Sequence, residues 1–336
     1  MARVLIIAEA GVNHNGSIDL AVQLIDAAKA SGADAVKFQT FRADRIATRS
    51  AEKANYQQRQ AADGESQFEM LQRLELDAAA HRRLFEYCRK TAIQFLSSPF
   101  DIQSIDLLDT LEVPLLKIPS GEITNLPFLE RIAAKGRPVI LSTGMSTLGE
   151  VEEAVQVLRA GGVSEITLLH CVTEYPAPYA EINLRAMQTL KSAFGLPVGY
   201  SDHTPGIEIA IAAVALGAEV IEKHFTLDRS LPGPDHSASL EPKEFKQMVA
   251  AIRNVESALG DGIKKPALCE LPNIPVARKS VVAARALRAG QKLAAADLDI
   301  KRPGTGLSPK LLTALVGRTL RTNIEPDELI LWDHLA

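Results

Sequence analysis

Apolar residues in this chain gather into eight short runs bounded by turn formers: VLIIAEAG at 4–11, AVKFQT at 35–40, QFLSSPF at 94–100, LLKIPSG at 115–121, PVILSTG at 138–144, EITLLHC at 165–171, PVGYSDH at 197–203 and VIEKHFT at 220–226. Between most of them, apolar residues return at helical spacing. SIDLAVQLIDAAKASGA opens on Ser17 as a cap and ends at Gly32, while STLGEVEEAVQVLRAGG begins with a capping pattern and stops on paired glycines. This beat of strand and helix over about 260 residues predicts a (β/α)8 TIM barrel, an α/β fold whose parallel strands are apolar on both faces and whose active site lies at their carboxyl ends. A doubly wound sheet is the competing architecture. It would more often carry a glycine-rich phosphate loop after its first strand, and EAGVNHNG contains no GxGxxG.

Two stretches break the beat. The second run is followed by 37 residues, 41–77, before the next clear helix, far beyond the usual connection of about 2–6 residues. An insertion of that size over the site face is expected to form a lid or part of a substrate pocket. After the last barrel helix, EPKEFKQMVAAIRNVESALG, the segment DGIKKPALCELPNIPVARKS has the Pro, Gly and Lys content of a linker, and from Ser280 the chain turns to short runs with many turn signals. These shifts place a barrel domain at 1–262, a linker at 263–279 and a small domain at 280–336. A domain of fewer than about 60 residues is expected to lean on the barrel or on a partner subunit.

Composition narrows the partners. With 46% hydrophobic and 23% charged residues the chain is an ordinary globular one. A net charge of -4 gives no broad positive field, so nucleic acid and anionic membranes are not expected as partners. Any anionic substrate must then be held by a few local cations. Cys88, Cys171 and Cys269 are odd in number and lack CxxC spacing, which argues for a reducing compartment and against a disulfide framework or a structural zinc site. The opening run reaches Glu9 too soon for a signal peptide, and IAIAAVALGA is far below the ~18 apolar residues of a membrane span. The expected location is the cytoplasm.

The candidate chemistry sits at the strand ends. Glu9, Lys37, Gln39, Ser98, Lys117, Ser120, Glu122, Ser142, Thr173, Tyr175, Ser201, His203 and His224 should converge on one face of a barrel, whose interior is otherwise filled by branched apolar side chains. His203 and His224 end consecutive strands, so their imidazoles can aim at one metal ion; the alternative is one core histidine and one loop histidine. Asp202 lies beside them, and PGPDH supplies Asp235 and His236 from the loop after the last strand. Lys37 and Lys117 sit mid-strand, where an ammonium must be paired. Each could pair with Glu9 or Glu122, or together with Ser98, Ser120, Ser142 and Ser201 they could cage a phosphate and a carboxylate. A Schiff-base lysine is a third option. Glu9 and Glu122 could act as general acid–base groups or could orient a lysine. Cys171 beside His170 points to the opposite face and reads as packing.

The motifs AEAGVNHNG, AVKFQTF, FLSSPFD, KIPSGEITNLP, ILSTGM, LLHCVTEYPAP, GYSDHT, EKHFTLD, GPDH and KRPGTG closely resemble the bacterial sialic acid synthase family, which includes N-acetylneuraminate, legionaminate and pseudaminate synthases, and the likeness spans essentially the whole chain. The resemblance implies a barrel followed by a small antifreeze-like SAF domain. It implies condensation of phosphoenolpyruvate with an N-acetylated mannosamine-type aldehyde sugar, releasing phosphate, with N-acetylmannosamine as the expected acceptor and 2,4-diacetamido-2,4,6-trideoxymannose as the alternative. Under it, His203 and His224 are ligands of a divalent metal, usually manganese, with magnesium or cobalt as substitutes. Lys37, Lys117, Ser98, Ser120, Ser142 and Ser201 form the phosphoenolpyruvate cage, with Thr173 at the phosphate side. Gln39, Tyr175, Asp235 and Glu9 contact the sugar, and Glu122 helps to activate the attacking water. Arg302 of KRPG is supplied across a domain-swapped homodimer to the acetamido end of the partner's sugar. Thr173 and Ser98 stand where some members carry Asn and many carry Thr. Tyr56, Gln57 and ESQFEM in the insertion occur in both neuraminate and legionaminate synthases, so they do not separate the two acceptors. A pyruvate aldolase and a carbohydrate-binding protein are the more remote readings.

Overall fold

Eight strands, β1 (Leu5–Gly11), β2 (Ala35–Thr40), β3 (Gln94–Pro99), β4 (Leu116–Ile118), β5 (Val139–Ser142), β6 (Ile166–Cys171), β7 (Val198–Asp202) and β8 (Val220–His224), pair in parallel in the order β3-β2-β1-β8-β7-β6-β5-β4. The computed structural model describes residues 3–54, 57 and 65–336. Pairing of β1 with β8, from Leu5 opposite Val220 to Glu9 opposite His224, joins the first strand to the last. β3 lies beside β4 at the remaining seam, so the sheet curls into a barrel. All eight strands fall inside the runs read from the sequence.

Helices α1 (Ile18–Ala30), α4 (Ala78–Thr91), α5 (Ile102–Thr110), α6 (Leu126–Ala133), α7 (Leu148–Ala160), α8 (Ala186–Phe194), α9 (Glu208–Ala215) and α10 (Pro242–Leu259) alternate with the strands. Ser17 accepts from Leu20 N at the start of α1, and Thr147 with Glu150 forms a reciprocal capping box on α7. The insertion after β2 departs from the sequence reading, which found no clear helix before residue 77. It carries α2 (Ala43–Ile46) and α3 (Gln67–Leu74). Ser66 and Glu69 make a capping box that starts α3, and Met70 and Leu74, one turn apart, bury against Val12 and Phe41. Glu65, bound by Lys53 at 3.0 Å and Arg73 at 3.2 Å, ties the segment before α3 to the helix itself.

The strands have two buried faces. Outward residues form the large apolar layer beneath the helices. Inward residues near the amino ends, Ile7, Ala35, Leu96, Ile140, Leu169 and Val220, form a separate apolar plug. Gly199 belongs to that layer because no larger residue fits there. A Cβ at Gly199 would fall against Val220 O, 2.7 Å from Leu169 Cδ2 and 2.8 Å from Val220 Cβ.

The chain divides into two compact units, Met1–Gly260 and Asp261–Ala336. The second unit has its own core, including Val281, Leu287, Leu298, Leu320 and Ile330. Strands β9 (Ser280–Ala283) and β10 (Leu298–Lys301) pair antiparallel within it. The stretch read as a linker contains a 3-10 turn at Leu268–Asn273 and helix α11 (Ile274–Ala277), and α12 (Leu312–Leu315) follows later. No helix among the described residues is long and apolar enough to cross a membrane.

Replacing Gly199 by Ala overpacks the plug and should destabilise the barrel by about 1–3 kcal/mol. Thermal melting checks this, with a drop of several degrees expected.

Candidate active site

A strand residue two positions ahead points to the same face, so the plug dictates what stands above it. Above Ile7 is Glu9, above Ala35 come Lys37 and Gln39, and above Leu96 is Ser98. Lys117 follows Leu115, Ser142 follows Ile140 and Cys171 follows Leu169. Gly199 leads to Ser201 and His203, and Val220 leads to Glu222 and His224. All of these line one cavity of about 300 Å³ at the carboxyl ends of the strands, joined from the loops by Ser120, Thr173, Tyr175 and Asp235.

The floor of the cavity is charged. Lys37 Nζ lies 2.7 Å from Glu9 and 3.8 Å from Glu222, and donates to Ser98 Oγ at 3.0 Å. Lys117 Nζ lies 3.6 Å from Glu222 and donates to Ser142 Oγ at 2.7 Å. Glu222 also accepts from Ser201 Oγ at 2.8 Å. The ion pairs and the serine cage weighed as alternatives in the sequence therefore coexist, with Glu222 in the place considered for Glu122. Burial pushes the Glu222 carboxyl up, but Lys117 and Lys37 outweigh it and hold it at about 2. For Glu9 burial dominates, and with the charge of Glu222 it lifts the carboxyl to about 7 against the pull of Lys37. Burial weakens the Lys117 ammonium despite Glu222, whereas for Lys37 the carboxylates Glu222 and Glu9 overcome burial and strengthen it. One shared carboxylate thus stays ionised between two cations, and a second is poised near neutrality.

Above the floor stand the imidazoles, with ring centroids 5.3 Å apart. His203 Nδ1 lies 2.6 Å from Val172 O, which assigns the proton to Nδ1 and leaves Nε2 bare, 3.4 Å from Ser201 Oγ. His224 Nδ1 is buried without a hydrogen-bond partner, 3.7 Å from Asp235 Oδ2. Burial lowers His203 to about 4 and His224 well below its usual range, so both rings are neutral. Burial also raises Asp235 to about 6. The Tyr175 ring packs 4.2 Å from His203, centroid to centroid. Among the described residues no three His, Cys, Asp or Glu side chains converge as a closed metal cage. Two neutral imidazoles, one with an orphaned ring nitrogen, fit a divalent cation that takes two protein nitrogens and completes its shell with water or substrate.

One expected site residue is placed elsewhere. Glu122 turns out of the cavity lining, on the 3-10 turn Ser120–Glu122, and its carboxylate accepts from Asn125 Nδ2 at 2.6 Å. Arg302 lies in the second unit, exposed, with Nε donating to Ala277 O at 3.1 Å. His236 turns aside to Thr226 Oγ1, while Asp235 enters the cavity from that loop beside Pro234. Cys171 lines the cavity with Sγ 3.2 Å from Ser120 Oγ, and is more than packing. Of the insertion residues, Gln57 reaches the lining and Tyr56 lies outside the described residues. Sequence reading missed Glu222 as a site residue, although its spacing of two from His224 was the available signal.

Glu222→Gln would leave the Lys117 ammonium without a carboxylate, an unpaired buried charge worth about 3–5 kcal/mol. The variant should melt below the parent, and saturating inorganic phosphate should raise its melting temperature more than the parent's. Equal melting of the two proteins contradicts this electrostatic picture.

Residues 24–264 match the NeuB family and residues 278–336 match the SAF domain. The chain is 54% identical to an N,N'-diacetyllegionaminic acid synthase of Campylobacter jejuni, over 98% of this chain and 99% of that one. It is 50% identical to a protein of the same name from Legionella pneumophila, over 98% and 94%. The crystal structure of an N-acetylneuraminic acid synthetase from Leptospira borgpetersenii, 39% identical, superposes with a TM-score of 0.70 over 81% of this chain and 90% of that one. With the matched segments spanning both units and the charged cavity at the barrel mouth, the chain belongs to the NeuB family.

Proposed function

We propose that this enzyme condenses phosphoenolpyruvate with 2,4-diacetamido-2,4,6-trideoxymannose and water to give N,N'-diacetyllegionaminate and inorganic phosphate. The coarser reading, a transferase that forms a carbon–carbon bond from phosphoenolpyruvate, follows from the family. The finer one takes the alternative acceptor over N-acetylmannosamine, and what supports it is that relatives at 54% and 50% identity are both named N,N'-diacetyllegionaminic acid synthases. The observation that carries the reaction is a single cavity holding two buried ammoniums beside two neutral imidazoles.

Lys37 and Lys117 hold the phosphate and carboxylate of phosphoenolpyruvate, with Ser98, Ser120, Ser142 and Ser201 as hydroxyl donors and Thr173 at the phosphate side. His203 and His224 would hold a divalent cation, manganese first and magnesium or cobalt as substitutes, which supplies Lewis-acid polarisation of the acceptor aldehyde. Gln39, Tyr175 and Asp235 orient the open-chain sugar above that floor. Carbon 3 of phosphoenolpyruvate bonds to the aldehyde carbon, water adds at carbon 2, and phosphate leaves. The aldehyde oxygen takes up one proton, and water gives up both of its own, one as it adds at carbon 2 and one as the ketone forms and phosphate leaves protonated. Glu9, buried and lifted to about 7, and Asp235, lifted to about 6, are the carboxyls suited to carry them near neutral pH. Glu122 is left out of this scheme because its side chain is engaged by Asn125. Arg302 enters the reading as a residue delivered to a partner's barrel in a domain-swapped dimer.

The weakened Lys117 ammonium also suits a Schiff-base amine, so the test must separate the two. Phosphate release should require both substrates, be faster with the diacetamido acceptor than with N-acetylmannosamine, and stop with chelator or in His203→Ala. Borohydride trapping of pyruvate on Lys117 with no phosphate released would overturn the proposal.

A further inference from the structure

The cavity is polar on its floor and apolar on one side of its mouth. The apolar side is built by the insertion after β2: Ile46 ends α2, and Leu71 shares an α3 face with Met70 and Leu74. Met70 and Leu74 are 2% and 1% exposed, locked against Val12 and Phe41. Ile46 and Leu71 pack on that cluster yet stay only part-buried, with their remaining surface turned to the cavity. Apolar surface held open by a buried support is a binding face, because covering it with an apolar group removes both partners from water.

We infer that Ile46 and Leu71 select the acceptor at its far end, seating a methyl group at carbon 6 in preference to a hydroxymethyl. The inference rests on the reaction proposed above. The aldehyde carbon must meet phosphoenolpyruvate over the lysines and imidazoles, so carbon 6 of the open chain is the end furthest from the polar floor. A carbon 6 hydroxyl against Ile46 and Leu71 gives up water without a partner among these side chains. An apolar face rejects an added hydroxyl only moderately, by about 10–100-fold in kcat/KM. Selection of the acceptor's terminal carbon then resides in a segment outside the barrel's regular βα units, while Lys37, Lys117 and the serines keep the donor site constant.

The test compares acceptors that differ only at carbon 6. The parent enzyme should use 6-deoxy-N-acetylmannosamine about 10–100-fold better in kcat/KM than N-acetylmannosamine. Ile46→Asn and Leu71→Gln each offer the hydroxyl a partner and should pull that ratio down about tenfold, through the acceptor KM, with the phosphoenolpyruvate KM unmoved. Leu71→Met should restore the parent ratio. A parental ratio near one, or a ratio unchanged in both folded polar variants, overturns the inference. Failure of the underlying reading looks different: the parent would then prefer N-acetylmannosamine to the diacetamido sugar or release no phosphate. The parental comparison needs no variant, so poor folding of one substitution does not remove the test.

Discussion

Two ammonium groups cannot occupy one dry barrel interior unless negative charge stands with them. Here that charge is Glu222, within 4 Å of both Lys37 and Lys117, with Glu9 completing the pairing on one side. Removing an ion from water costs several kcal/mol, and a shared carboxylate offsets this only if its remaining lone pairs are satisfied. Ser201 satisfies one of them. Glu222 Oε2 is buried without a hydrogen-bond partner, 3.8 Å from Lys37 Nζ, under an open cavity. An arriving dianion therefore meets cations that are already ordered, in a site where hydrogen-bonded charge is worth more than in water.

The geometry follows from one rule of strand structure applied eight times. Inward residues at the amino ends are small or apolar and fill the barrel, and the next inward residue on each strand is polar. The same alternation explains residues that look catalytic in the sequence and are not placed in the cavity. Lys223 and Asp202 alternate with Glu222, His224, Ser201 and His203. They point outward, where they pair at 2.8 Å and clasp Thr204. That buried pair braces the turn that carries His203.

Most of this was legible in the chain. The strand–helix beat gave the barrel, strand-end polarity marked twelve residues that do line the cavity, among them both lysines and both histidines, and the PGPDH loop added Asp235. What escaped has physical reasons. For Lys37 and Lys117 the sequence offers Glu9 and Glu122 as carboxylate partners; only closure of β1 onto β8 puts Glu222 between the two lysines. Glu122 is correctly near the strand end, yet Asn125 three residues on captures its carboxylate, a local bond that no motif reveals. The helices in the insertion were hidden because α2 is one turn long and α3 owes its place to Val12 and Phe41, far away in sequence. A short helix depends on such tertiary support.

The proposed reaction needs the two interior ammoniums to grip the donor acid. Direct titration of phosphoenolpyruvate into the parent, Lys37→Met and Lys117→Met, with no acceptor present, tests that grip without involving catalysis. Truncating one side of a buried charged contact costs about 2–5 kcal/mol, so each variant should bind at least ~30-fold more weakly. Binding within twofold of the parent in either folded variant would contradict it.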